Sequence, residues 1–363
     1  MTRISRPGAG LRRAAARALA ALALAHASPG AAQVRAVRLT LDNDAYNFWV
    51  PLKTRPDEEY TNGVDASVEV AGGPLWARRL APRAAACNGA ESADSACATT
   101  TFDLGQKIFT PRDDGPLLAA GERPYAGWLY FAATGQLSTA RARRAVGIEV
   151  GVTGPPSLGE AVHETWHRIA GFRDPQGWDQ QLRFEPGITV RYDEARLLGE
   201  LRAGGGRVLA LAPEWGAEAG NVRTAAHVGV RAAAGFRAPH PWSAAADRDS
   251  GPLAVYAVAA ARQEAVARSL FLDGNTFADG PRVERRPFVF RHELGVGVRW
   301  HAVSLEYRAA TRGREYETEP TGHTYSTFEL TWRPRGRTQS SAQPQGSGES
   351  APGTKHQARS TKH

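Results

Sequence analysis

Five short polar motifs in this chain carry side chains able to move protons or hold charged groups: Asn43-Asp44, Tyr60-Thr61-Asn62-Gly63, Gln106-Lys107, Pro124-Tyr125-Ala126-Gly127-Trp128 and the pair His163/His167. The histidine pair belongs to His163-Glu164-Thr165-Trp166-His167, a literal H-E-x-x-H. On a helix these imidazoles share one face. In zinc proteases that spacing aims both rings at one metal and the glutamate at its water. A zinc site also needs a third ligand from another element, and none declares itself. The plain alternative is a surface helix with two solvated histidines. Asp42-Asn43-Asp44 reads, on local chemistry alone, as an Asx turn ending a strand.

Each motif sits at the end of an alternating, strand-like stretch. Period-two alternation with turn punctuation predicts strands at approximately 36–45, 60–71, 100–110, 125–137, 144–153, 180–192, 206–218, 222–234, 252–264, 287–300, 302–313 and 322–333. That is about twelve, an even number, as bacterial outer-membrane barrels require. A soluble β-sandwich is the competing reading. With the first strand running outward, the outer loops fall at 46–59, 111–124, 154–179, 219–221, 265–286 and 314–321, and all five motifs gather at one rim. Most inner turns are then short, the usual asymmetry, although segment 72–99 breaks it. Trp128, Tyr130, Trp215, Trp300, Tyr307, Tyr325 and Trp332 fall near strand ends and are expected to form interfacial girdles. In the third outer loop, Ser157-Leu158-Gly159-Glu160 matches a capping box after Pro155-Pro156. It predicts a helix reaching Ala170 and stopping at Gly171.

Residues 1–32 read as a secretory signal: five arginines without an acid, an apolar run from Ala18 to Ala25, and small-residue cleavage patterns. No stretch is long and apolar enough for a membrane helix. A mean hydropathy of −0.40 suggests a soluble protein, but a transmembrane barrel escapes that inference because only alternate residues meet lipid. Cys87 and Cys97, close together in an exported chain, most simply form one loop disulfide. The formal charge of +8 is concentrated in the leader and the tail, so no nucleic-acid partner is inferred. Residues 334–363 read as a disordered basic tail.

The motifs in their order resemble the outer-membrane lipid A 3'-O-deacylases over roughly residues 38–333. The similar stretches include Asp42-Asn43-Asp44, Tyr60-Thr61-Asn62-Gly63, Gly105 through Pro111, Arg123 through Trp128, Gly154 through Glu160, His167, Gly177 through Leu182, Glu185 and Phe271 through Phe277. The resemblance implies an all-β, twelve-stranded antiparallel transmembrane barrel (33–333) with one short helix in an extracellular loop. It implies calcium-dependent hydrolysis of the 3'-linked acyloxyacyl ester of lipid A, in a site between the outer wall and that helix. The family's catalytic histidine falls on His167, its Asn-Asp pair on Asn43 and Asp44, its threonine on Thr61 and its lysine on Lys107. Where the family usually has Gln one turn before the histidine, this chain has His163, which creates the H-E-x-x-H match.

This resemblance sets the remaining expectations. Ca2+ prefers oxygen ligands, expected from Asp44 and Asn43, with Asp174 and Glu185 the weaker candidates. His163, Arg123, Tyr125 and Arg112 are expected to bind substrate. Arg112 and Arg123 would join Arg168 and Arg173 in a clamp for the lipid's phosphates, while Tyr125 and Trp128 would anchor at the interface. The partners are lipid A or lipopolysaccharide and membrane lipid, with no obligate protein partner. The location is the cell outer membrane. A non-catalytic porin-like or structural barrel and an H-E-x-x-H zinc metalloprotease are the alternatives.

Overall fold

The structure is a computed structural model that describes residues 33–48, 58–74, 85–87, 95–113, 115–173, 175–242 and 251–334. The expected signal segment, nearly all of the tail, and Asp174 lie outside the described residues.

Twelve antiparallel strands close on themselves: β1 (Val34–Asn43), β2 (Glu59–Ala71), β3 (Cys97–Thr110), β4 (Ala126–Ser138), β5 (Ala142–Thr153), β6 (Glu185–Arg196), β7 (Gly206–Gly220), β8 (Arg223–Phe236), β9 (Leu253–Ser269), β10 (Phe288–Trp300), β11 (Val303–Arg312) and β12 (His323–Trp332). Each pairs with its sequence neighbour, and β1 pairs with β12 from Val37↔Trp332 to Asn43↔Ser326. Closure of the twelve strands leaves the membrane-spanning wall without a free edge, which hydrocarbon would leave without hydrogen bonds. The twelve-stranded expectation holds. So does the helix, α1 (Gly159–Ala170), which stops at Gly171 with φ 75°. The capping box does not form. Leu158 is the N-cap, and Ser157 instead donates to Gly154 O at 2.6 Å within a tight turn after the two prolines.

Alternation sorts side chains to two faces. Leu39, Val64, Leu104, Val150, Ile188, Val230, Val255, Leu294 and Leu330 point outward and exposed, the apolar band that lipid solvates. Trp300 and Trp332 join them at the short-turn end. Trp128, Tyr130 and Tyr325 do not form part of a girdle; all three are buried in the lumen. Trp128 gives its indole N–H to Glu149 at 3.0 Å, and Tyr130 gives its hydroxyl to Asp65 at 2.9 Å. In the inner half the lumen carries arginine–glutamate pairs, across neighbouring strands as in Arg38–Glu329 at 3.1 Å and Arg308–Glu329 at 3.1 Å, and within one strand as in Arg308–Glu306 at 2.6 Å.

The outer half of the lumen is filled. Tyr60, Phe109, Trp128, Leu182, Leu270, Phe271 and Tyr325 form one buried cluster. A short helix after β9, α2 (Leu270–Asp273), drops Phe271 onto Phe109, with centroids 4.4 Å apart. Above this plug sits a charged lid. Arg123, only 1% exposed, binds Glu59 at 3.0 Å and Glu315 at 3.3 Å. Burial pushes the Glu315 carboxyl up, but Arg312 and Arg123 pull it down further, to about 2. Glu319 forms no ion pair among the described residues. Burial, then the neighbouring Glu59 charge, raise its carboxyl to about 7. Glu185 ties down the segment after α2, accepting from Asn221 at 3.0 Å, Asn275 at 3.2 Å and the Thr276 N–H at 2.7 Å. At the opposite end, Cys87 and Cys97 form the expected disulfide.

A filled outer lumen predicts no steady conductance in planar bilayers. Phe271→Ala is expected to cost about 3 kcal/mol, read as a lower denaturant midpoint. The folded lid keeps the Glu319 proton up to about pH 7, whereas an ordinary glutamate releases it near 4.5. This group's effect on stability is therefore most favourable below pH 4.5 and worsens as pH rises toward 7. Glu319→Gln is expected to raise the thermal midpoint at pH 8 and leave it unchanged at pH 4.

Candidate active site

The site is built on the outside of the wall. One lateral row of outward positions runs Ser326, Asn43, Asn62, Ile108 and Gly127 across β12, β1, β2, β3 and β4. Helix α1 packs over this row, against β3 and β4. Its first residue, Gly159, sits against Gly127, where a Cβ would lie 3.0 Å from the Gly159 Cα and collide with Ser157 Oγ. Toward the other end of the helix, Trp166 meets Tyr46, edge to face at 6.3 Å. Gln106 points outward too and donates to Ser157 O at 2.6 Å. The helix therefore spans the wall from β4 to the turn Asp44–Tyr46, which itself packs on β12 and β2.

His163 and His167 occupy the helix face turned to the wall. Both are 3% exposed, with ring centroids 4.3 Å apart. Their partners fix their tautomers, because an indole N–H only donates and a carbonyl only accepts. Trp178 donates to His163 Nδ1 at 3.2 Å, so the neutral ring carries its hydrogen on Nε2. His167 Nδ1 bonds the Arg173 carbonyl, so Nδ1 carries the hydrogen and Nε2 the basic lone pair. One histidine is thus set as a donor and its neighbour as an acceptor. Among the described residues no three His, Cys, Asp or Glu side chains gather as a metal site. The H-E-x-x-H sequence therefore acquires no third zinc ligand there.

Asn43 and Asp44 are each 1% exposed. Asn43 Oδ1 caps the turn by accepting from Ala45 N at 2.7 Å, and Asp44 Oδ2 accepts from Glu58 N at 2.9 Å. Asn62, beside Asn43 in the outward row, has a buried Oδ1 without a hydrogen-bond partner. An orphaned buried acceptor is costly, and an oxygen ligand to a hard cation is one use for it. Sequence reading passed over Asn62. Its parity with the lipid-facing Val64 and Val68 was the available signal.

Several expected residues lie elsewhere. Lys107 faces the lumen, its ammonium 4.7 Å from the Tyr130 ring centre, in the inward row with Asp42, Gly63 and Trp128. The wall separates it from Asn43. Thr61 is an extra residue in a β-bulge, and its hydroxyl is shared with Thr110 at 2.6 Å. Arg123 is consumed by the lid, and Arg112 by Glu122. Of the four clamp arginines, Arg168 and Arg173 remain exposed beside His167. Tyr125 does not anchor at the interface. It is 1% exposed, donates to Gln176 O at 2.6 Å and packs on Trp178, so it supports the segment that orients His163.

A closed barrel with an apolar outer band and a helix held over its outer wall defines an outer-membrane protein of the β-barrel class. The family model for the outer membrane protein LpxR matches residues 14–334, and the chain belongs to that family. LpxR from Salmonella typhimurium has the same fold, with 18% identity, a TM-score of 0.65, and coverage of 82% of this chain and 99% of that one. The translocator domain of the autotransporter NalP from Neisseria meningitidis is more distant, with 9% identity, a TM-score of 0.39, and coverage of 89% and 96%. A comparison with curated proteins found no match.

Gly127→Val suits a strand but places its side chain against Ser157 and Gly159. It is expected to undock α1 while the barrel survives. Limited proteolysis within 159–173 should accelerate, with the heat-modified gel shift of the barrel retained.

Proposed function

We propose that this chain hydrolyses the 3'-linked acyloxyacyl ester of lipid A in the outer leaflet, with calcium as cofactor. The observation that carries this reading is the paired tautomers of His163 and His167, held between α1 and the lipid-facing wall. His167 Nε2 accepts the proton of a water that attacks the ester carbonyl, then returns it to the departing sugar hydroxyl. An imidazole with one protonated and one free nitrogen can take a proton in the first step and give it up in the second. His163 Nε2–H and the Asn43 amide donate to the carbonyl oxygen as it gains charge. A fixed N–H donor at position 163 does what a glutamine amide would do there. Asp44 and Asn62 Oδ1 are the oxygen groups suited to hold calcium, whose chemical contribution when bound is to polarise the carbonyl. Arg168 and Arg173 are placed to receive the phosphates of the sugar head.

Mass spectrometry of lipid A treated with purified protein in calcium is expected to show loss of the 3' acyl chains, and EGTA should stop it. His167→Ala should lower the rate about 10²-fold or more. His163→Gln should retain activity within about tenfold, because the donor is kept. Full release by His167→Ala or in EGTA would overturn the mechanism.

A further inference from the structure

The lumen is blind toward the outside, where the aromatic plug fills it, and hollow toward the short-turn end. There a cavity of about 880 Å³ is lined by seven arginines, among them Arg35, Arg143 and Arg333, against three glutamates, Glu69, Glu306 and Glu329. Arg38 and Arg308 are neutralised by the pairs already described. Arg35, Arg143 and Arg333 have no carboxylate within ion-pair distance among the described residues. The buried Nε of Arg143 has no hydrogen-bond partner. Arg143 also lines a second, smaller hollow of about 340 Å³ deeper in the lumen, so it stands where the two meet. The Arg333 guanidinium donates to the neutral hydroxyl of Ser304 at 3.2 Å. Burial, then the neighbouring Arg38, push its guanidinium below the usual range, the sign of a place short of negative charge.

Half-buried guanidinium in excess of the acids around it is costly unless an anion completes it. The chain's own tail is a poor candidate, since residues 335–363 carry five basic side chains against one acid. The cavity lies within the size range of small-molecule sites. Guanidinium forks match phosphate and carboxylate oxygens.

We propose that the inner half of the lumen is a binding site for a phosphate- or carboxylate-bearing small anion that enters from the periplasmic end. It is separated by the barrel wall and the plug from the site under α1. The anion comes either free from solution or as the headgroup of an inner-leaflet lipid. Both carry the same oxygens to the same arginines.

The test is calorimetric titration of the full-length barrel in neutral detergent, with pyrophosphate in one arm and short-chain phosphatidylglycerol in the other. Binding is expected in at least one arm, weakened about tenfold by Arg143→Gln and again by Arg333→Gln. Arg112→Gln, at the opposite end, should leave it unchanged. Pyrophosphate binding identifies a free anion, and binding of the lipid alone identifies a headgroup. The heat-modified gel shift checks that each variant is folded, with Arg35→Gln as the substitute for one that is not. Absence of heat at millimolar ligand in both arms, or equal affinity in the folded variants, would overturn the site. Lipid A hydrolysis is not part of the readout, so this result stands or falls apart from the proposed activity.

Discussion

The period-two alternation of a closed barrel governs which residues can act together. Asp42, Gly63, Lys107 and Trp128 form one lateral row facing the lumen. Asn43, Asn62, Ile108 and Gly127 form the next, facing outward. Adjacent residues therefore belong to different solvents. A one-residue change of register would exchange the rows, and closure by β1 and β12 leaves little freedom for such a slip. The glycine at position 127 matters for the same reason, since it gives the outward row a flat place on which a helix backbone can rest. Nothing else in the site could be assembled without that contact, because α1 carries both histidines.

The lumen answers a different demand. Its inner half is crossed by arginine–glutamate pairs, and its outer half is closed by stacked aromatics beneath a lid of buried charges. Isolated buried ions would be prohibitive, but Arg123 meets Glu59 and Glu315 together, and such groups hold only as a set. The lid residues come from three loops far apart in sequence. Their mutual neutralisation is what lets loops without regular structure sit over an apolar plug. A porin-like reading is poorly supported by such a filled interior.

Much of this was legible in the sequence. Strand number, direction and the common rim followed from alternation and turn residues, with most boundaries within a few residues. The start of β6 was placed too early. Gln180 and Leu182 continue the alternation, yet they are tied to Pro116 and Tyr125 in a neighbouring loop. The helix end at Gly171 was readable because glycine tolerates positive φ. Its start was not, since the two prolines commit Ser157 to a tighter turn. The inward direction of Lys107 was also legible, by counting parity from Asp42 through the paired strands. The burial of Arg123 was beyond local reading, because Glu315 lies 192 residues away.

A candidate site on the outside of a barrel has a kinetic corollary. Any occupant must arrive sideways, by drifting within the leaflet, and never crosses the lumen. Encounter frequency is then set by how many target molecules share each unit of membrane area, and volume concentration drops out. Spreading the same lipid over more detergent would slow its arrival without altering a single contact in the protein.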